Sequence, residues 1–219
     1  MGLLDILLGR TKPAAPDLDQ LFALPSAAVT LEAASGFTPT GRGAVCFATV
    51  EGSAFEQTHR EVQALLDADT ERTGPPVQLV RDDYGYSWLV SHRTPGELSA
   101  LVNDLHAVNS AMEVNGFGPQ LLCSLAGFEE RAAGSAGGGA VGDAGDDAVG
   151  DAGGGAAGRR LGLVYLYKRG SFYPFAPLPG AGQRRDNALE LQVKAVLAND
   201  LKIEQDLSRW FPVWGAPGL

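Results

Sequence analysis

Apolar runs of strand length occur along this chain mostly in pairs, and a single helix pattern follows each of the first two pairs. "AVTLEAASGFTPTGRGAVCFATV" reads as two strands around a Gly/Pro/Thr turn, and "PVQLVRDDYGYSWLVSH" as a hairpin with Asp83-Tyr84-Gly85 near its turn. "QLLCSLAGF" is a single strand, and "LGLVYLYKRGSFYPFAP" is a further hairpin turning at Arg169-Gly170. Strands joined by short turns must run antiparallel, because a parallel pair needs a long crossover between its members. The expected class is therefore α+β: one domain with a mostly antiparallel sheet, its hairpins alternating with helices.

The helices carry their own start and stop signals. "DLDQLFALP" reads as a short helix ended by Pro25. In "SAFEQTHREVQALLDAD", Ser53 and Glu56 have capping-box spacing, and Phe55, Val62, Leu65 and Leu66 share a face. "TPGELSALVNDLHAVNSAMEVNG" is the best specified element. Thr94 and Glu97 repeat the capping box, Pro95 suits a first helical position, and Gly116 supplies a stop. Its apolar residues Leu98, Leu101, Leu105, Val108 and Met112 form one stripe for burial. "DNALELQVKAVLANDL" is a last helix with Leu189, Val193, Val196 and Leu197 as its face.

Three segments fall outside this plan. Residues 131–160 are rich in Gly, Ala and Asp and contain "AVGDAGDD" followed at once by "AVGDAGGG". Such a composition buries too little surface to offset the entropy of ordering, so a disordered insertion is expected; calcium-repeat spacing is absent. It divides the domain into a part over 26–130 and a part over 161–203, after a linker and short helix over 13–25.

The second segment is "MGLLDILLGR", whose Leu3, Leu4, Ile6, Leu7 and Leu8 cover one broad face of a helix over residues 1–12. As a helix its first nine residues reach about 14 Å, well short of the ~30 Å hydrocarbon layer. It lacks the basic start and cleavage site of a secretory signal, and Ile6 stands where myristoylation requires Ser or Thr. The expectation is a cytoplasmic protein whose residues 1–10 dock on its own body or on a partner, or make peripheral contact with the inner face of the membrane. The third segment is the tail over 204–219, "DLSRWFPVWGAPGL" included. Its Trp210, Phe211 and Trp214 serve either to cover the sheet or to anchor an interface.

Chemistry is harder to find. The formal net charge of −9 disfavours attraction to nucleic acid phosphates, so no nucleic acid partner is expected. Cys46 and Cys123 lie in apolar surroundings and read as free buried thiols. His59, His92 and His106 fall in separate elements, so no metal site or cofactor is expected. "GRGAVC" precedes a strand instead of following one, and no nucleophile stands at an informative spacing from a base. The aromatic and basic residues of "YLYKRGSFYPF" fit a core hairpin with Lys168 and Arg169 at its tip. No enzymatic activity is expected.

Taken in order from end to end, "MGLLDILLGRTKP", "LFALPSAAVTL", "GFTPTGRGAVCF", "NGFGPQLLCSLAGF", "YLYKRGSFYPFAP" and "DLSRWFPVWGAPGL" resemble the PspA-associated protein family PspAB. The resemblance implies a place in the phage-shock envelope-stress system beside a PspA homologue, with PspA as partner and no defined catalytic residues. The hairpin-and-helix plan is also similar to small secretion-chaperone folds, an analogy of fold alone. Both lines converge on a non-enzymatic adaptor. A chaperone-like binder of unfolded or secreted segments is the alternative, and an enzyme of unrecognised type the second alternative.

Overall fold

A computed structural model describes residues 16–69, 74–131, 158–180 and 182–219. A 3-10 turn at Leu18–Ala23 leads into α1 (Leu24–Ser35), then β1 (Phe37–Ala48) and α2 (Ser53–Asp67). The hairpin β2 (Gln78–Arg81) and β3 (Tyr86–His92) precedes α3 (Leu98–Val114) and β4 (Leu121–Glu130). The hairpin β5 (Arg160–Leu166) and β6 (Ser171–Phe175), followed by α4 (Asn187–Val196), completes the regular elements. The strands form a single six-stranded sheet in the order β2-β3-β1-β4-β5-β6, with every neighbour antiparallel. The α+β class inferred from hairpin pairing is the class observed.

Central strand β1 is apolar on both faces, and Ala44, Val45, Cys46 and Phe47 are all buried. Alternation sends Val45 and Phe47 to one side and Ala44 and Cys46 to the other, so the sheet needs two covers. Helices cover the first side. Phe47 packs on Phe55 of α2 with ring centroids 5.3 Å apart, and Asn109 of α3 donates to the Ser124 hydroxyl at 2.8 Å. All five residues of the α3 stripe are buried, as their spacing predicts. The C-terminal tail covers the second side. Trp210 stacks on Tyr173 at 6.0 Å and Trp214 meets the Phe175 ring edge-on at 5.0 Å. The β6 edge is closed as well, since the Phe172 amide donates to the Lys202 carbonyl at 2.8 Å and its carbonyl accepts from the Glu204 amide at 2.7 Å.

Some expectations need correction. The first strand of the pair read between residues 26 and 50 is a helix, α1. Pro25 opens that helix at its first turn instead of ending one, and Gly36 closes it with φ 71°. Pro at the start and Gly past the end are ordinary helix boundaries. The Gly/Pro/Thr stretch taken for a turn lies inside β1, where the register to β4 shifts between Pro39 and Gly43. Ser53 is already helical and caps nothing through its side chain, and Leu65 is 61% exposed while Thr58 takes the buried position. At Thr94 only half the box forms: Glu97 accepts from the Thr94 amide at 2.9 Å, and α3 starts after it. Residues 132–157, most of the expected insertion, lie outside the described residues. Arg159 beside it pairs with Glu130 at 2.8 and 2.7 Å, and Arg160 begins β5.

Candidate functional site

The second face of the sheet is only partly filled by the tail. Between them lies a cleft of about 810 Å³. Its floor is built in register, because Cys46 of β1 stands directly opposite Trp88 of β3 on one side and Cys123 of β4 on the other. Tyr84 and Tyr86 from the β2–β3 hairpin form one wall, and Phe211 with Trp214 from the tail form another. This side of the molecule keeps aromatic surface in water. Tyr84 is 53% exposed and Phe211 59% exposed.

The walls are held by specific bonds. Asp82 organises the hairpin turn: one carboxylate oxygen accepts from the Tyr84 and Tyr86 amides at 2.9 and 2.8 Å, and the other from Trp88 Nε1 at 2.8 Å. Asp82 is thereby the fixed anchor of the Trp88 ring. Gln183 donates to the Tyr84 hydroxyl at 2.6 Å. On the tail side, the Tyr173 hydroxyl donates to the Phe211 carbonyl at 2.7 Å, and burial pushes its pKa up, so the phenol stays protonated. Arg185 donates to the Trp210 carbonyl at 2.7 Å and to Glu190 at 2.8 and 2.9 Å, tying the tail to α4. Burial raises the Glu190 pKa despite that partner.

The arrangement presents aromatic faces, with the polar atoms of Tyr84, Trp88 and Tyr173 already engaged, which suits capture of an apolar segment. Cys46 and Cys123 are both free and buried, and the neighbouring Cys123 together with burial pushes the Cys46 thiol's pKa up. Among the described residues, no group of three or more His, Cys, Asp or Glu could hold a metal ion. Also among the described residues, no helix is long and apolar enough to cross a membrane.

Leu3, Leu4, Ile6, Leu7 and Leu8 lie outside the described residues. The structure places the other three site residues in the tail, with different exposures. Trp210 is buried, with Nε1 donating to the Glu204 carbonyl at 3.0 Å; Trp214 is half-buried, and Phe211 is exposed. Phe211 and Trp214 line the cleft. Sequence reasoning missed Trp88, Tyr84, Tyr86 and the cysteine pair as parts of the same cleft. Only the matching alternation of β1 and β3 could have signalled them, and that required knowing the register.

Searches of curated proteins and of solved structures gave no match. A family model does match, PspAB, described as PspA associated protein B, over residues 1–218. That match spans the helices, the whole sheet and the tail that walls the cleft, so the chain belongs to the PspAB family.

Proposed function

We propose that this protein is a non-enzymatic adaptor that engages a PspA homologue during envelope stress, acting in the cytoplasm. Membership of a PspA-associated family carries this reading. The aromatic cleft supports it by offering a surface suited to an apolar helix or strand, with Phe211 and Tyr84 as exposed anchors. The apolar start, Leu3 to Leu8, is a second contact, made either with the same partner or with the inner membrane surface. Exposed aromatic walls also favour a second reading, a chaperone-like holder of unfolded or secreted segments. An adaptor selects one partner, whereas a holder takes several unrelated clients.

Co-purification of the PspA homologue from detergent-free extracts tests this, with the intact chain, a chain lacking residues 2–12, and the Phe211→Ala/Tyr84→Ala variant. Stoichiometric recovery with the intact chain and loss with the double variant would assign the cleft to PspA. Loss with the truncation alone would assign the apolar start. If none of the three recovers PspA, the adaptor reading fails. Liposome sedimentation of the purified chain, with no protein partner present, separates lipid contact from docking.

A further inference from the structure

Cys46 and Cys123 are the chain's two cysteines, and 77 positions separate them, yet the fold sets them directly opposite one another across β1 and β4. Directly opposed residues of an antiparallel pair have Cα atoms about 4.5 or 5.5 Å apart, depending on which kind of pair they occupy. Both spacings fall inside the roughly 4.4–6.8 Å that a disulfide spans. As directly opposed residues of neighbouring strands, the two side chains point to the same face of the sheet. Beside them the β1–β4 register shifts, between Cys46 and Phe47, so the strands there are not locked into a regular ladder. Both thiols line the cleft, so a small molecule entering between Tyr84 and Phe211 reaches them. With no third metal-ligating side chain grouped with them among the described residues, the arrangement is a dithiol and not a metal cage.

We propose that Cys46 and Cys123 form a dithiol modification site, oxidised to an intramolecular disulfide by a low-molecular-weight disulfide of the glutathione class. Cys123 loses its proton and attacks one sulfur of R–S–S–R. A Cys123–S–S–R bond forms, and the departing RS⁻ takes up a proton to become RSH. Cys46 then loses its proton and attacks the Cys123 sulfur, the protein disulfide forms, and a second RSH leaves. Two protein thiols are oxidised and one small disulfide is reduced to two thiols; excess RSH reverses both steps. The same steps balance with the two cysteines exchanged. The site does not depend on the identity of any protein partner.

The test uses the full chain, incubated with oxidised glutathione, quenched in acid, then alkylated and weighed intact. Both thiols should become unreactive together, with the mass lower by two hydrogens and no retained glutathione. Tryptophan fluorescence should fall, since Trp88 faces Cys46 across the strands, and a dithiol reductant should restore it. Cys46→Ser should stop at a glutathione adduct on Cys123. Circular dichroism of both Cys46→Ser and Cys46→Ala confirms which variant is folded and therefore read. The proposal is overturned if both thiols of the intact chain stay alkylatable under conditions that oxidise a dithiol peptide control. It is equally overturned if disulfides form only between chains, or if a glutathione adduct persists on the chain with both cysteines.

Discussion

Asp104 is 2% exposed on α3, and its carboxylate accepts from Arg93 Nε at 2.9 Å, from Arg93 Nη2 at 2.7 Å and from the Ser91 hydroxyl. Arg93 also reaches Asp69 at 2.9 Å, and its guanidinium stays protonated. This buried pair fixes α3 to the end of β3. Removing one member leaves a desolvated charge without its main counter-ion, a loss of about 3–5 kcal/mol for such pairs. Asp104→Asn should therefore lower the unfolding free energy by about that much, read as a lower urea midpoint at an unchanged slope. Glu204 supplies a pH-dependent contact. Burial alone would raise its pKa, but the Asp206 amide, Arg169 and Ser171 outweigh burial and hold it below the usual value of 4.5. A carboxylate with a lowered folded pKa stabilises fully above its unfolded pKa and loses that contribution as pH falls through the folded value. Glu190, whose pKa is raised, works in the opposite sense, so the Glu204 share is read as a difference. Glu204→Gln should flatten the acid-side fall in thermal stability below about pH 4.5 relative to the parent chain.

At the scale of elements, the tail acts as a second cover for the sheet, although it contains no α-helix or strand. Its contact with β4 is close. A Cβ on Gly127 would lie 2.1 Å from the Gly218 carbonyl oxygen and 2.8 Å from the Thr40 hydroxyl. Gly127→Ala should lift the end of the tail off the sheet, read as faster proteolysis of the tail with the helix-covered face intact. Helix α1 teaches a different lesson. Its Ala-rich run, with Pro25 in the first turn and Gly36 past the end, carries the boundary signals of a helix, and the β-branched Val29 and Thr30 imitate a strand locally. By contrast, the α3 stripe and the buried aromatics of the β5–β6 hairpin were legible because one period or one turn fixed them without reference to distant residues.

For the whole molecule, the sheet divides the protein into a helix-packed half and a half closed by the tail and the cleft. In the cleft, Phe211 and Trp214 of the tail share one wall-and-floor arrangement with Cys46, Trp88 and Cys123 of the central strands. If the cleft is the PspA contact, Phe211→Ala should weaken binding roughly tenfold, as loss of about 1.4 kcal/mol from an exposed aromatic anchor would. The variant should keep the parent's melting temperature, because that ring is largely in solvent. Equal loss of binding and of stability would make Phe211 part of the fold and not of the interface.

Local patterning alone determined the α+β class, the β2–β3 and β5–β6 turns, the α3 stripe and the family membership, since each rests on residues near one another or on segments in linear order. Tertiary structure decided the rest. It decided that Trp210 is buried while Phe211 is exposed, that Asp104 and Arg93 share a buried ion pair, and that Cys46, Cys123 and Trp88 stand side by side. The physical reason is register. A one-residue slip between two strands would turn every side chain to the opposite face, and no local periodicity specifies which strands pair or how they align.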